Sequence, residues 1–189
     1  KFQYKLDGIG KQVDRAAIIT DHMRILGRSA SDSFIKYEKF DVTDAINACK
    51  SLMEGQLRLL SIALSLEIDE QPLMVDGSSL ELEQVLLNLV RNSRDAITES
   101  TDQGSIVISA RLAAKEIIIA VADDGPGFSP MDEHKLFDPF FSTKDVGKGT
   151  GLGLSISHRM IARMEGTLTA HNASRGAVFE IRFPRSAQG

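Results

Sequence analysis

Asp123-Asp124-Gly125-Pro126-Gly127-Phe128, answered further along the chain by Gly149-Thr150-Gly151-Leu152-Gly153-Leu154, is the stretch whose reading decides the fold. Upstream, Glu116-Ile117-Ile118-Ile119-Ala120-Val121-Ala122 is a short apolar, β-branched run, so Asp123 is expected at the end of a buried strand. A carboxylate placed there must be paired. Unpaired burial costs several kcal/mol, whereas a charge-assisted hydrogen bond to a donor such as an adenine amino group returns roughly 1.5–3 kcal/mol. Gly125 and Gly127 remove side chains where a flat ring would have to approach the backbone.

The downstream glycines suggest a different task. Glycines at alternate positions, followed by Ser155-Ile156-Ser157-His158-Arg159-Met160-Ile161, put bare backbone N–H groups at the foot of a helix, where phosphate is commonly held. The competing reading is a glycine-rich surface turn, and the run alone does not choose between them. It is not a Walker A loop, because Gly147-Lys148 is followed by Gly149 rather than Ser or Thr. Nor is it a Rossmann fingerprint, since Leu154 stands where glycine or alanine is required.

With 189 residues, 42% of them hydrophobic and 25% charged, the chain suffices for one filled core and an appended element, and disorder is excluded as its theme. A formal charge of −4 without a basic block argues against nucleic acid as a partner. The lone Cys49 excludes an internal disulfide and a cysteine zinc site and fits a reducing, cytoplasmic setting for this domain. No apolar run approaches the ~20 residues of a membrane span. Because the chain begins at Lys1 rather than methionine, it is expected to be a piece of a longer protein, whose upstream part is free to carry a sensor or a membrane attachment.

Leu6, Ile9, Val13, Ala16 and Met23 recur at helical spacing and predict an amphipathic helix over 1–27, in need of a partner helix to cover its stripe. A polar, small-residue linker over 28–37 follows, then a main domain over 38–189. That domain opens with a short strand, Glu38-Lys39-Phe40-Asp41-Val42, and a helix over 43–60 with Ala45, Ile46, Cys49, Leu52 and Met53 facing inward. A strand over 61–69 alternates with Ile62, Leu64, Leu66 and Ile68 on one face, and Asp76-Gly77-Ser78-Ser79 reads as a polar turn.

The next helix, over 80–98, has two faces. Leu82, Val85, Leu86, Leu89, Ser93 and Ala96 form a core stripe, while Asn88, Arg91, Asn92 and Asp95 line up at i, i+3, i+4, i+7. Asparagine is a moderate helix former, so a pair in mid-helix costs a few tenths of a kcal/mol each. An amide oxygen is a hard, neutral ligand suited to Mg²⁺; the alternative is a polar face that simply meets water. Strands over 105–112 and 116–122, a helix over 152–164 and strands over 167–171 and 177–183 complete the order, with Arg175-Gly176 in the last turn. Helices and strands in this order predict an α+β fold: a two-layer sandwich of a mixed sheet with helices on one face.

With the two asparagines, Asp123-Asp124-Gly125-Pro126-Gly127, the run Leu136-Phe137-Asp138-Pro139-Phe140-Phe141-Ser142-Thr143-Lys144 and the final glycines in this order, the chain resembles the C-terminal catalytic ATP-binding domain of two-component sensor histidine kinases. The wording around Asn88–Ala96 and Phe140–Lys144 is most similar to the nitrogen- and oxygen-sensing subgroup. The resemblance implies the Bergerat-type ATP fold, with residues 1–27 as the second helix of a dimerisation hairpin. It implies ATP and Mg²⁺ as cofactors, with Asn92 as metal ligand, Asn88 facing the phosphates and Asp123 reading the adenine amino group. Gly125 and Gly127 would pass close to the base, and Gly149-Thr150-Gly151-Leu152-Gly153 would cradle the phosphates. Lys144 and Lys148 would reach phosphate oxygens as point charges, and Phe137, Phe140 and Phe141 would anchor a mobile lid, although Phe137 fits simple core packing equally well.

In the same superfamily, DNA gyrase and the heat-shock chaperone ATPases carry a water-activating glutamate one turn before the metal-binding asparagine. Asn88 stands there, and an amide cannot accept the proton, so the resemblance favours transfer to a protein acceptor over hydrolysis. An ATP-hydrolysing machine and a non-catalytic nucleotide-binding module are the alternatives. The family's acceptor histidine is followed by an acidic residue and then a proline. His22 is followed by Met23-Arg24 and does not fit; His134, His158 and His171 have no such context, and Met164-Glu165 replaces the family's late histidine. The chain is therefore expected to bind ATP, to lack its own phosphoacceptor, to serve a response-regulator receiver domain, and to work within a homodimer of the full-length protein.

Overall fold

The computed structural model describes residues 37–144 and 150–185. The readings over 1–27, Lys148 and Gly149 lie outside the described residues, as does all of the 28–37 linker except Tyr37. The elements run β1 (Glu38–Asp41), α1 (Val42–Leu59), β2 (Ile62–Ile68), β3 (Met74–Gly77), α2 (Ser79–Ser100), β4 (Gly104–Ala113) and β5 (Glu116–Asp123). A short 3₁₀ turn (Glu133–Lys135), α3 (Gly153–Arg163), β6 (Thr167–Asn172) and β7 (Ala177–Pro184) follow.

The main sheet is ordered β2-β4-β5-β7-β6. β2 runs parallel to β4, joined through α2, and the remaining pairs are antiparallel, giving the expected mixed sheet of an α+β fold with its helices packed on it. Alternation decides which side of each strand is covered. Ile117, Ile119 and Val121 of β5 stand opposite Phe183, Ile181 and Phe179 of β7, and all six are buried. Asp123 is the next residue in that inward series, so the pleat itself turns a carboxylate toward the helices.

Helix α1 starts where Asp41 caps it, its carboxylate accepting from the Thr43 N–H at 2.9 Å. Val42, Ala45, Ile46, Cys49, Met53 and Leu57 make the buried stripe. Leu52, expected inward, lies to one side of that stripe and is 56% exposed. Helix α2 is capped by Ser78, whose side chain accepts from the Glu81 N–H. The sequence missed β3. Its residues pair with β1 as a separate two-stranded sheet, with Phe40 opposite Val75, and four residues ending in Asp-Gly look locally like a turn.

Cys49 is wholly buried between α1 and its neighbours, and burial, assisted by Glu83 and opposed by Arg91, pushes its thiol up to about 12. The folded protein is therefore expected to resist thiol alkylation at pH 8 and to label only on unfolding. Rapid labelling of the native chain would contradict this packing.

Candidate nucleotide site

The buried Asp123 carboxylate accepts from three protein donors. Its Oδ2 accepts from the Ser93 hydroxyl at 2.8 Å, and its Oδ1 accepts from the backbone N–H groups of Gly125 at 3.0 Å and Ala177 at 3.2 Å. One side chain thus joins α2, the loop after β5 and the start of β7. Each carboxylate oxygen offers about two acceptor positions, so Oδ2 retains one for a further donor. Gly176, next to Ala177, has φ +77°, and a Cβ there would lie 1.8 Å from the Asp123 carbonyl oxygen.

The loop carrying Gly125 and Gly127 is held at its far end by Asn172. That amide accepts from the Phe128 N–H at 3.0 Å and donates to the Phe128 carbonyl at 2.6 Å. Gly127 adopts φ +71°, and a Cβ would meet the Asn172 amide oxygen at 2.6 Å. Asp124 turns away, accepting from the Ser105 N–H at 2.8 Å, while Arg175 donates to the Asp124 carbonyl at 3.0 Å.

Along α2 the polar face meets α3. Asn88 donates to the Ser157 hydroxyl at 3.0 Å, and its amide oxygen lies 2.4 Å from where a Cβ on Gly153 would stand. Glycine here is a packing requirement between two helices. Gly153→Ala should push Asn88 off its present position and cost about 1–3 kcal/mol, together with part of the nucleotide affinity. Thermal unfolding and an ATP titration of the variant check both, and unchanged values would show that Asn88 moves aside freely. The first turn of α3 has no side-chain cap, which leaves its leading N–H groups without the partner a capping residue would give.

Asn92, half-buried one turn along, makes no side-chain hydrogen bond among the described residues. No group of three or more His, Cys, Asp or Glu able to hold a metal occurs among those residues. A neutral amide on its own suits an ion that takes its other ligands from phosphate and water, which is the habit of Mg²⁺.

Gly151, at φ +65°, accepts from the Phe140 N–H at 2.8 Å, and a Cβ would lie 2.4 Å from the Phe140 carbonyl carbon. Thr150 accepts from the Leu152 N–H at 3.4 Å, and Leu152 itself is buried in the core. Phe137 and Phe141 pack against the core, Phe137 with its ring 5.2 Å from that of His158. Phe140 is 75% exposed and sits at φ +68°.

Lys144, expected to reach for phosphate, donates to Asp95 Oδ2 at 2.6 Å. Arg94 covers Oδ1 of the same carboxylate, donating from Nη2 at 2.6 Å and from Nε at 2.9 Å. Burial pushes the Asp95 carboxyl up, but the hydrogen bonds and charges of Lys144 and Arg94 outweigh it and hold the group below the usual range. With a lowered folded value, this cluster contributes stability above the ordinary carboxylate range and loses it as pH falls through the lowered value. Ser93, Asn172 and Gly176 are the site residues that sequence reasoning missed; a serine on an otherwise apolar stripe was the one available signal.

The family model of histidine kinase-, DNA gyrase B- and HSP90-like ATPases matches residues 77–187, and the chain belongs to that family. Its relatives carry the names of two-component sensors, sensor proteins and sporulation kinases. The chain is 34% identical over 187 residues to the two-component sensor PprA of Pseudomonas aeruginosa, covering 97% of this chain and 20% of PprA. It is 31% identical over 188 residues to the C4-dicarboxylate transport sensor protein DctB of Rhizobium meliloti, covering 96% of this chain and 28% of DctB. It therefore spans a quarter or so of these relatives. Among solved structures, the nucleotide-free catalytic domain of the histidine kinase ThkA matches with TM-score 0.71 at 30% identity, over 80% of this chain and 97% of that one. ThkA in complex with the response regulator protein TrrA matches with TM-score 0.75 at 25% identity, over 94% of this chain and 49% of that one. No helix among the described residues is long and apolar enough to cross a membrane.

Proposed function

We propose that this chain is the catalytic ATP-binding domain of a sensor histidine kinase, binding ATP with Mg²⁺ and presenting the γ-phosphoryl group to a histidine on a dimerisation helix. The observation that carries this reading is the arrangement along α2. Ser93 ties the helix to Asp123 at one point, and five residues earlier Asn88 donates to Ser157 of α3 and lies against Gly153 at that helix's uncapped start. At 1.5 Å per residue the two points stand about 7.5 Å apart along the axis, with Asn92 between them. A base bound at Asp123 would thus direct its phosphates toward Asn92 and the N–H groups of α3.

Each group has a task in this reading. The free acceptor position of Asp123 takes the adenine amino group, Gly125 and Gly127 keep the loop beside the base thin, and the start of α3 from Gly151 to Gly153 receives phosphate oxygens. Asn92 would hold the Mg²⁺, which neutralises phosphate charge during transfer. Asn88 orients α3 through Ser157 and offers no base for activating water, which favours a protein acceptor. Lys148 and Gly149 are assigned to the phosphates on the sequence resemblance.

A histidine outside this chain as acceptor, a receiver domain as the next recipient, a homodimer formed through the dimerisation helices and a cytoplasmic setting complete the proposal. The ThkA complex with TrrA supports the kind of partner. Asn92→Ala should weaken ATP binding in the presence of Mg²⁺ and leave metal-free binding largely unchanged. Calorimetry with and without Mg²⁺ measures this, and equal losses in both would remove Asn92 as the ligand.

A further inference from the structure

Asp95 stands three residues beyond Asn92 and seven beyond Asn88 on the same face of α2, and it holds Lys144 across 49 positions of sequence. Lys144 follows four residues after Phe140, whose N–H is bonded to the Gly151 carbonyl, and its ammonium reaches the polar face of α2 at Asp95, about one turn beyond Asn92. The pair is only partly covered, with side-chain exposures of 22% for Lys144 and 32% for Asp95. Such a pair exchanges partners at small cost. Arg94 holds the other carboxylate oxygen, so release of Lys144 leaves no unpaired acid behind.

We propose that Asp95 is a positioning residue for Lys144: it holds the ammonium about one turn from Asn92 when nucleotide is absent and yields it to the terminal phosphate of ATP. This rests on the ATP-binding reading above. An ammonium has three donors and no fixed plane, so it can leave one carboxylate oxygen for a phosphate oxygen without rearranging α2. The carboxylate competes with phosphate for the lysine and repels the phosphate charge. Asp95 therefore lowers the affinity for ATP in return for a lysine that waits in place.

The test is a set of ATP and ADP titrations, with Mg²⁺, on the 189-residue chain and its Asp95→Asn, Lys144→Met and doubly substituted forms. Asp95→Asn should tighten ATP binding by about fivefold, the equilibrium equivalent of one partly exposed ion pair, and leave ADP binding unchanged. Lys144→Met should weaken ATP binding and abolish the effect of Asp95→Asn in the double variant. A merely structural role would move ATP and ADP together, and that result overturns the proposal. So does an Asp95→Asn effect that persists without Lys144. Failure of the unsubstituted chain to bind either nucleotide would instead overturn the ATP-binding reading, and this inference with it.

Discussion

Asp123→Asn is expected to fold normally and still lose about 10- to 150-fold in ATP affinity, the equivalent of roughly 1.5–3 kcal/mol for one charge-assisted hydrogen bond. The two halves of this expectation separate because an amide can reproduce the internal network. Its oxygen can accept from the Gly125 and Ala177 N–H groups while its NH₂ donates to the Ser93 hydroxyl, which has lone pairs to spare. What changes is the group left facing the base. An acceptor becomes a donor, and the adenine amino group then meets another donor. Inosine triphosphate, with an oxygen at the corresponding ring position, should lose less or gain. Calorimetry with both nucleotides measures the difference, and an unchanged ATP affinity would remove Asp123 from the adenine pocket. Asp123→Ala is a poorer probe, since it leaves two backbone donors and a buried hydroxyl without their acceptor.

Gly176→Ala is the second large effect. At φ +77° an L-residue is strained, and the new methyl would stand 1.8 Å from the Asp123 carbonyl oxygen, a contact that only movement of the β6–β7 turn relieves. That movement pulls the Ala177 N–H away from Asp123 Oδ1. Strain and overpacking together should cost about 2–4 kcal/mol in denaturant unfolding, with weaker ATP binding in the fraction that folds. Wild-type stability would show that the turn does not sit against Asp123 as described.

These two residues mark where the sequence was legible and where it was not. Asp123 could be placed at the end of a buried strand because a continuous apolar, β-branched run leads into it, while the side its carboxylate faces emerged only from the pleat of the folded sheet. Its partners could not be read. Ser93 lies 30 positions earlier and Ala177 lies 54 later, and only the folded sheet brings them to one carboxylate. The glycines were read as room for a ligand, yet Gly127, Gly151 and Gly153 are each crowded by protein atoms, from Asn172, Phe140 and Asn88. Both demands fall on the same positions, and a sequence shows the glycine without showing which neighbour requires it.

The same limit explains the smaller differences. Helices α1, α2 and α3 were legible because their apolar stripes repeat over several turns, whereas β3 has four residues and a partner more than thirty positions away. Leu52 was assigned inward by spacing alone, and the burial of Val42 and Leu57 shows that the stripe runs beside it. Lys144 was expected to reach phosphate oxygens as a point charge. Asp95 supplies a carboxylate at 2.6 Å, and a charge on a loop is settled by whatever opposite charge the fold places within reach.

The central claim is tested most directly with γ-labelled ATP and Mg²⁺, applied to the 189-residue chain alone and to the chain extended upstream by its native sequence. The account predicts ATP binding by both proteins and acid-labile label on the extended one alone, placing the phosphorylated histidine outside these residues. Label on neither protein, with ATP bound and inorganic phosphate released, would contradict it and identify a hydrolase.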